Sequence, residues 1–581
     1  MMKKSRILLL MMVLALCFAC AGCAPTEPGT PEAACEYEGK LFTSDRVHTV
    51  DVSIAGADWE DLKARPMEKT KYSADVTIDG ETFRNVSFAT KGNSSLAAVA
   101  ADPDSCRYSF KINFGKYDKD QTYYGLNKLH LNNTFGDATY MKDYFSYELF
   151  RQAGVSAPLI SYVWLTVNGE PVGLYIAVED VSESFRARAL NGQGELYKPE
   201  TVTVENADIQ YELLTEEDAE TGAAASAEAP SSETLSSEAA PSGTEPSETA
   251  PPGTVPPGTV PPGEKPDGTP PPGGKPEGQP GFSCKGADLV YIDDSTASYP
   301  DIFEHSQTKA AEEDMQRVVS ALKGFPERRN PAEYLDTAEI IRYFAAHNFV
   351  LNGDSYTGVV PTNYILYEKN GKLSMLPWDY NLAFGGFPAG NPNGAPTGNP
   401  GAAPAGFAGS IPDGAPDDFV QIMPGDMQNT QPMEPTSEEL GILLNTGIDS
   451  PLNGIPDQGR PMWFWILSSD AFRNQYHDAL RSLVAGYFES GEFDRRIDAL
   501  QQMLLPYVEQ DPMAFYTAEE FTRGCEEFRK FCRIRSQSVR AQVDGKLSCY
   551  SMSQKAEDRI DASDIDLQSL GTPLHDTPAA Q

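Results

Sequence analysis

The sequence predicts an α+β protein with a strand-rich N-terminal lobe and a helix-rich C-terminal lobe. Apolar and polar residues alternate in the first part of the chain, apolar residues recur at helical spacing in the last part, and two long Pro/Gly-rich stretches interrupt the pattern. With 581 residues, 40% of them hydrophobic, the chain can build a large core. Its formal net charge of −38 argues against a nucleic-acid partner, because phosphate binding favours Lys/Arg-rich surfaces.

The first 23 residues predict a targeting segment that is not part of the fold. Lys3, Lys4 and Arg6 precede an apolar run, and small residues precede Cys23. This pattern is similar to bacterial lipoprotein signals, in which the cysteine is acylated. We therefore expect lipidation of Cys23, attachment to the membrane through the lipid, and an extracytoplasmic location. A plain secretory signal and an uncleaved anchor are the alternatives.

Residues 46–200 carry the strand pattern of the N-terminal lobe, after a polar tether at 24–45. The segments HTVDVSIAG, YSADVTIDGETFRNVSFATKG and YSFKINF alternate apolar and polar residues, as half-buried strands do. TYMKDYFSYELFRQAG has the pattern of a helix that ends at Gly154. SYVWLTVNG and EPVGLYIAVEDV then predict two more strands joined by an Asn-Gly turn.

Two low-complexity segments, residues 201–285 and 386–460, predict disordered insertions. They are rich in Pro, Gly and polar residues, which bury too little apolar surface to offset the entropy of ordering the chain. Between them, residues 286–385 are predicted to form the first part of the C-terminal lobe. Residues 461–547 are predicted to form its helical remainder, and residues 548–581 a polar tail.

Three oxygen-bearing side chains surround one predicted hairpin in the stretch NFVLNGDSYTGVVPTNYILYEKNGKLSMLPWDYN. Asp354 follows a helix, Asn363 precedes the strand YILYE, and Asp379 follows the strand KLSMLPW. Because a hairpin returns the chain, Asp379 is expected near Asn363, with Asp354 close by. Phosphoryl transfer needs a carboxylate that accepts a hydroxyl proton and separate oxygen ligands for Mg²⁺. His347, within the preceding helix, is predicted to be a core residue rather than a base.

The chain contains seven motifs that are specific in combination: KGNSS, YSFKINF, VNGEPVGLYIAVEDV, GELYKPE, NGDSYTG, TNYILYE and LPWDYNLAFGG. Together they resemble the spore coat protein H family, the CotH kinases, over about residues 46–200 and 286–545. The resemblance implies a kinase-like two-lobe fold, ATP and Mg²⁺ as cofactors, and transfer of the γ-phosphate to Ser/Thr of a cell-envelope or coat protein. Other members act as adhesins, so a non-catalytic surface binding or assembly protein is the alternative. Transfer to a non-protein hydroxyl, such as that of a sugar, is a third possibility.

The resemblance implies roles for individual residues. Asp354 is expected to be the catalytic base, Asp379 a metal ligand and Asn363 a second metal ligand. Lys111 is the candidate for the lysine that contacts the α- and β-phosphates, with Lys91 as its competitor. Each also has a structural alternative, because Asp and Asn are common in turns and a strand lysine can simply face solvent.

The remaining candidates concern the nucleotide. Backbone N–H groups at Gly92, Asn93 and Ser94 could face a phosphate. Glu148 occupies the place expected of the helix glutamate that pairs with the phosphate-binding lysine. Glu179 follows an apolar strand, where an adenine-binding hinge would lie.

Overall fold

The computed structural model describes residues 35–102, 105–200, 286–358, 361–386, 436–452 and 459–571. Its strands are β1 Val47–Ile54, β2 Tyr72–Ile78, β3 Glu81–Lys91, β4 Ser109–Asn113, β5 Lys128–Asn132, β6 Ile160–Val167, β7 Glu170–Glu179, β8 Glu195–Tyr197, β9 Tyr364–Lys369 and β10 Lys372–Pro377. Its α-helices are α1 Tyr37–Leu41, α2 Gly56–Ala64, α3 Ser94–Ala100, α4 Lys142–Gln152, α5 Glu183–Leu190, α6 Pro300–Phe303, α7 Glu312–Leu322, α8 Pro331–Tyr334, α9 Thr337–Val350, α10 Ser437–Leu444, α11 Pro461–Leu467, α12 Asp470–Leu483, α13 Glu492–Val508 and α14 Ala518–Val543.

Seven strands close into a barrel in the order β1-β2-β3-β4-β5-β7-β6. Neighbouring strands are antiparallel except for the closing pair, in which β1 runs parallel to β6 with Val47 opposite Tyr162. Alternate residues fill the interior, where the rings of Phe88 and Phe110 stack with centroids 4.7 Å apart. The period-two alternation of the sequence therefore separates an apolar interior from an outer face that carries polar groups.

The prediction of a kinase-like two-lobe fold is wrong. The strand-rich part is a closed barrel, accompanied by a separate three-stranded sheet β10-β9-β8 and a helical C-terminal region. Alternation shows which residues of a strand face a core, but it does not show which strands pair. Closure depends on the β1–β6 pair, whose strands are far apart in the chain, and on β5, to which the sequence analysis assigned no strand.

The helical region is organised around α9 and α14. Helix α9 begins where the Asp336 side chain accepts a hydrogen bond from the backbone N–H of Glu339, 3.1 Å away. Helix α14 begins with a reciprocal pair of bonds between Thr517 and Glu520. Both helices are buried along much of their length. Within the described residues, no helix combines the length and apolar character needed to cross a membrane.

A buried ion pair joins the barrel to the helical region. Arg107 lies just before β4, Asp511 follows α13, and both side chains have 0% exposure. The guanidinium donates to both carboxylate oxygens at 2.8 and 2.9 Å, and the N–H of Leu174 donates to Asp511 at 2.8 Å. At Gly173, whose φ is +128°, an added Cβ would lie 2.1 Å from Asp511 Oδ1. Glycine at this position lets the carboxylate approach β7.

Part of the predicted organisation lies outside the described residues, namely the signal segment with Cys23 and the insertion at 201–285. Within the second low-complexity segment, 386–460, helix α10 is described, and its Leu440 and Leu444 are buried. That segment therefore contributes side chains to the core at its C-terminal end. The other domain boundaries stay predictions.

Replacing Asp511 with alanine is expected to destabilise the protein by about 3–5 kcal/mol, because it leaves the Arg107 charge buried without its partner. Urea unfolding would measure the change. The matched control is Asp498→Ala, which removes an exposed partner of Arg529 and should cost less than about 1 kcal/mol. Equal small losses for the two variants would show that the buried pair does not hold the two regions together.

Candidate functional site

The polar residues of the predicted hairpin meet at its base. Helix α9 ends at Val350, and Leu351 turns the chain with a φ of +52° into the loop that carries Asp354. Strands β9 and β10 pair antiparallel from Tyr364–Pro377 to Lys369–Lys372, so the residues before β9 and after β10 are neighbours. Asn363 directly precedes β9, and Asp379 is the second residue after β10, following Trp378.

Asp354 and Asn363 are directly bonded. The side-chain amide of Asn363 donates to Oδ2 and to the backbone carbonyl oxygen of Asp354, both at 2.9 Å. Removal from water and the negative charge of Asp379 together raise the pKa of Asp354 to about 7, against the lowering effect of the Asn363 bond. All three side chains are half-buried, so the site keeps access to solvent.

Asp143 on α4 is a fourth member of the site, which the sequence analysis missed. Its Oδ1 accepts a bond from the N–H of Tyr380 at 3.0 Å, and its Oδ2 accepts one from Asn132 at 3.2 Å. Burial and the charge of Asp379 raise the pKa of Asp143 to about 7. No pattern in the sequence separates Asp143 from the other polar residues that α4 buries, which are Lys142, Ser146 and Glu148.

Of the two candidate lysines, Lys91 lies with the carboxylates. It ends β3 and donates to Oδ1 of Asn132 at 2.5 Å. Burial lowers the pKa of Lys91, and the charges of Asp379 and Asp143 act in the opposite direction. Lys91 therefore lies close enough to Asp379 and Asp143 for their charges to act on its pKa.

Lys111 belongs to a second polar centre on the outer face of the barrel. Its Nζ donates to Oδ2 of Asp180 at 2.7 Å, and His130, opposite it on β5, lies 2.7 Å from the same oxygen. Burial and the charge of Lys111 together lower the pKa of His130 to about 3, against the raising effect of its contact with Asp180. Lys128 also approaches Asp180, at 3.6 Å. The Lys111 ammonium is thus paired with Asp180 rather than with Asp354, Asp379 or Asp143.

The KGNSS segment begins with Lys91 and continues into a loop. Gly92 has a φ of +105°, a conformation that side chains rarely adopt. The Asn93 side chain accepts a bond from Lys69 at 2.7 Å, and Ser94 begins the short helix α3. The structure thus places the loop next to the candidate lysine, and its phosphate-binding role stays a prediction.

In the structure, Glu148 and Glu179 bond to partners outside the carboxylate cluster. Glu148 accepts bonds from Arg151 at 3.2 Å and Gln152 at 3.1 Å on its own helix. Glu179 is buried, and Arg188 donates to its two oxygens at 2.9 and 2.6 Å. Their described contacts do not include the carboxylate cluster.

A layer of hydrogen-bonded rings, made by Tyr343, His347 and Tyr380, lies next to the cluster, because Tyr380 directly follows Asp379. The Tyr380 hydroxyl lies 2.8 Å from Nδ1 of His347 and 3.2 Å from the hydroxyl of Tyr343, and Nε2 of His347 lies 2.6 Å from Oγ1 of Thr357. Burial lowers the pKa of His347 to about 3, so the ring is neutral. The prediction that His347 is a core residue is confirmed.

The backbone at the site is strained at several points. Leu351, Asn363 and Asp379 all have positive φ, at 52°, 52° and 56°. Such conformations cost on the order of 1 kcal/mol or more for residues other than glycine, and they concentrate at functional sites. The surrounding hydrogen bonds, including one from the N–H of Asp379 to the Tyr147 hydroxyl at 3.1 Å, hold this geometry in place.

The fold and the cluster define a class of protein: a barrel-and-helix protein with a partly open, carboxylate-rich site beside a lysine. A family model described as "CotH kinase protein" matches residues 88–239 and 282–539. The chain belongs to the CotH family, and the resemblance inferred from the motifs is confirmed.

Two curated proteins of Bacillus subtilis (strain 168) are similar over short stretches. The first is named inner spore coat protein H, with 26% identity over 94 residues, which cover 16% of this chain and 25% of that protein. The second is named inner spore coat protein H-like protein, with 36% identity over 61 residues, which cover 10% of this chain and 20% of that protein. The chain thus aligns with at most a quarter of these relatives.

The raised pKa of Asp354 predicts how the stability of the folded protein depends on pH. Its pKa rises from the ordinary 3.8 to about 7 in the folded protein, so the folded state binds this proton more tightly than the unfolded state. The corresponding stabilisation is present below pH 4 and is lost as the pH rises to about 7. Asp354→Asn should therefore stabilise the protein at pH 8 without divalent cations, by on the order of 1 kcal/mol after allowing for partial exposure.

Thermal unfolding in EDTA at pH 8 and pH 4 would test this, with Asp120→Asn in an exposed turn as the control. The gain should shrink at pH 4, and the control should show neither the gain nor its pH dependence. A destabilised Asp354→Asn at pH 8 would contradict the charge repulsion.

Proposed function

We propose that this protein transfers the γ-phosphate of ATP, bound with Mg²⁺, to a Ser or Thr hydroxyl of a cell-envelope or coat protein. The observation that supports the proposal is the gathering of Asp354, Asn363, Asp379 and Lys91 at one half-buried place. Family membership supports it too, because the matching model is described as a kinase. The proposed partner rests on the predicted lipoprotein signal and on the names of the two spore coat relatives.

The donor set suits Mg²⁺. Carboxylates of Asp379 and Asp143 and the amide oxygen of Asn363 are the hard oxygen ligands that this ion prefers. The raised pKa values of Asp354 and Asp143 indicate concentrated negative charge, which a divalent cation would offset. When bound, Mg²⁺ would neutralise charge on the β- and γ-phosphates.

Lys91 is the favoured lysine for the phosphates. It ends a barrel strand directly before the Gly92 turn, and it lies near Asp143 and Asp379. A lysine contacts phosphate as a point charge, so it needs proximity rather than a fixed planar geometry. Lys111 is less suited, because its ammonium is bonded to Asp180.

Asp354 is the residue that we propose accepts the proton of the acceptor hydroxyl. As the hydroxyl oxygen bonds to the γ-phosphorus, its proton passes to the Asp354 carboxylate, and the bond to the bridging oxygen breaks to release ADP. A base with a pKa of about 7 is half-deprotonated at neutral pH. About half of the molecules then carry the carboxylate form, and that form is still basic enough to accept the proton. The Asn363 amide, bonded to Oδ2, holds the carboxyl group in one orientation.

Label transfer from γ-labelled ATP to the protein itself or to a Ser/Thr-rich acceptor would test the proposal. Asp354→Asn should reduce the rate by at least about 100-fold, because it removes the base. Asp379→Asn should raise the Mg²⁺ concentration needed for activity, and Lys91→Gln should weaken nucleotide binding more than Lys111→Gln does. The exposed Asp120→Asn is the control and should retain the wild-type rate.

Calorimetric titration with Mg²⁺ and a non-hydrolysable ATP analogue separates the competing functions. Saturable binding of the analogue, combined with label transfer from ATP to a sugar acceptor but not to protein, would indicate phosphorylation of a non-protein hydroxyl. No nucleotide binding at all would overturn the kinase proposal and leave a surface binding or assembly protein.

A further inference from the structure

We propose that Asp449, His477 and Cys549 form a binding site for one transition-metal ion of the zinc type. A carboxylate oxygen, an imidazole nitrogen and a thiol sulfur from these residues all lie within 4.8 Å of one another. The phosphoryl-transfer proposal uses none of the three.

Three separate segments bring the ligands together. Asp449 lies in the loop after α10, His477 lies on α12, and Cys549 follows α14. The backbone N–H of Asp449 donates to the carbonyl oxygen of Cys549 at 2.9 Å. Nε2 of His477 lies 2.7 Å from Oδ1 of Asp449. The backbone thus holds two ligands side by side, and the third is already in contact with one of them.

The chemistry of the ligands selects the kind of metal. Thiolate, imidazole and carboxylate are the ligands of Zn²⁺, whereas Mg²⁺ binds oxygen atoms. Bonds of about 2.0–2.3 Å to a shared Zn²⁺ place ligand atoms roughly 3–4 Å apart, so only a small closure is needed. The Cys549 thiol loses its proton to solvent when its sulfur binds the ion, and water completes a four-coordinate site.

The surroundings favour an ion over bare side chains. Asp449 is 4% exposed, and a buried carboxylate needs strong partners. The Cys549 thiol has a long bond of 3.5 Å to the carbonyl oxygen of Gln542. Arg473, one turn before His477, adds a positive charge that opposes a cation, but it also pairs with Asp470. Once Cys549 binds the ion as a thiolate, it and Asp449 carry two negative charges against that single positive charge.

A metal here would stabilise the packing of the loop after α10 against α12 and the segment after α14, close to α9. The Tyr476 hydroxyl, next to His477 in sequence, donates to the carbonyl oxygen of Ile448 at 2.8 Å and accepts a bond from Asn348 on α9 at 2.9 Å. The inferred role is therefore structural, fixing the loop after α10 against α12 and α14.

Cobalt titration of the purified full chain, after removal of metals with a chelator, tests the site. Co²⁺ bound through sulfur absorbs in the near ultraviolet, which a carboxylate site does not produce. We expect this band to saturate at one equivalent and to disappear when Zn²⁺ is added. Cys549→Ser should abolish the band, whereas the matched control Cys106→Ser, in the barrel region, should retain it.

His477→Gln and Asp449→Asn should each weaken Co²⁺ binding by at least about tenfold. Zn²⁺ should raise the unfolding temperature of the wild type and of Asp379→Asn, but not that of Cys549→Ser. The proposal is overturned if no thiolate band appears, if the band survives in Cys549→Ser, or if Zn²⁺ stabilises that variant equally. Should Cys549→Ser fail to fold, as judged by circular dichroism, the same readouts on His477→Gln decide the question.

Discussion

A buried arginine at the end of α9 is the constraint on which the hairpin site depends. Arg535 of α14 has 0% exposure, and its guanidinium donates to the backbone carbonyl oxygens of Asn348, Phe349, Leu444 and Thr446 at 2.8 to 3.3 Å. The first two are among the last carbonyls of α9, which have no partners within the helix and attract a positive charge. Burial lowers the pKa of Arg535 to about 10, so the side chain remains charged at neutral pH. The same group thus joins the end of α9, the loop after α10 and α14, and it fixes the point from which the chain turns toward Asp354.

The site concentrates charge and backbone strain where stability alone would favour neither. Asp354, Asp143 and Asp379 lie close enough that the charge of Asp379 raises the pKa of both others, and Asp379 itself adopts a positive φ. Opposing this, the ring layer of Tyr343, His347 and Tyr380 fixes the position of the strained segment through buried hydrogen bonds. Strain and repulsion of this kind persist only when the surrounding packing determines the geometry, which is why such features concentrate at sites of binding and catalysis.

The barrel contributes to the site through its outer face, and the helical region contributes through α4 and α9. Lys91 ends β3 and Asn132 ends β5, on either side of β4 in the barrel sheet, while Asp143 comes from α4. The ion pair between Arg107 and Asp511 holds the barrel to the helical region, so the separation between Lys91 and the hairpin carboxylates depends on that junction. A polar site assembled from several elements is sensitive to the packing of each of them.

The sequence by itself determined the strands from β1 to β4, the hairpin β9–β10, the helix that carries Asp143, and the motifs that identified the CotH family. It also placed Asn363 and Asp379 at the same end of the hairpin, because a two-stranded hairpin brings the residues before its first strand and after its second strand to one end. Only the tertiary structure decided that the first seven strands close into a barrel, that Lys91 rather than Lys111 accompanies the carboxylates, and that Asp143 joins them. It alone placed His477 beside Asp449 and Cys549 as well. Local patterns report which residues face a core, whereas these contacts join distant segments, and their pairing is set by packing over the whole chain.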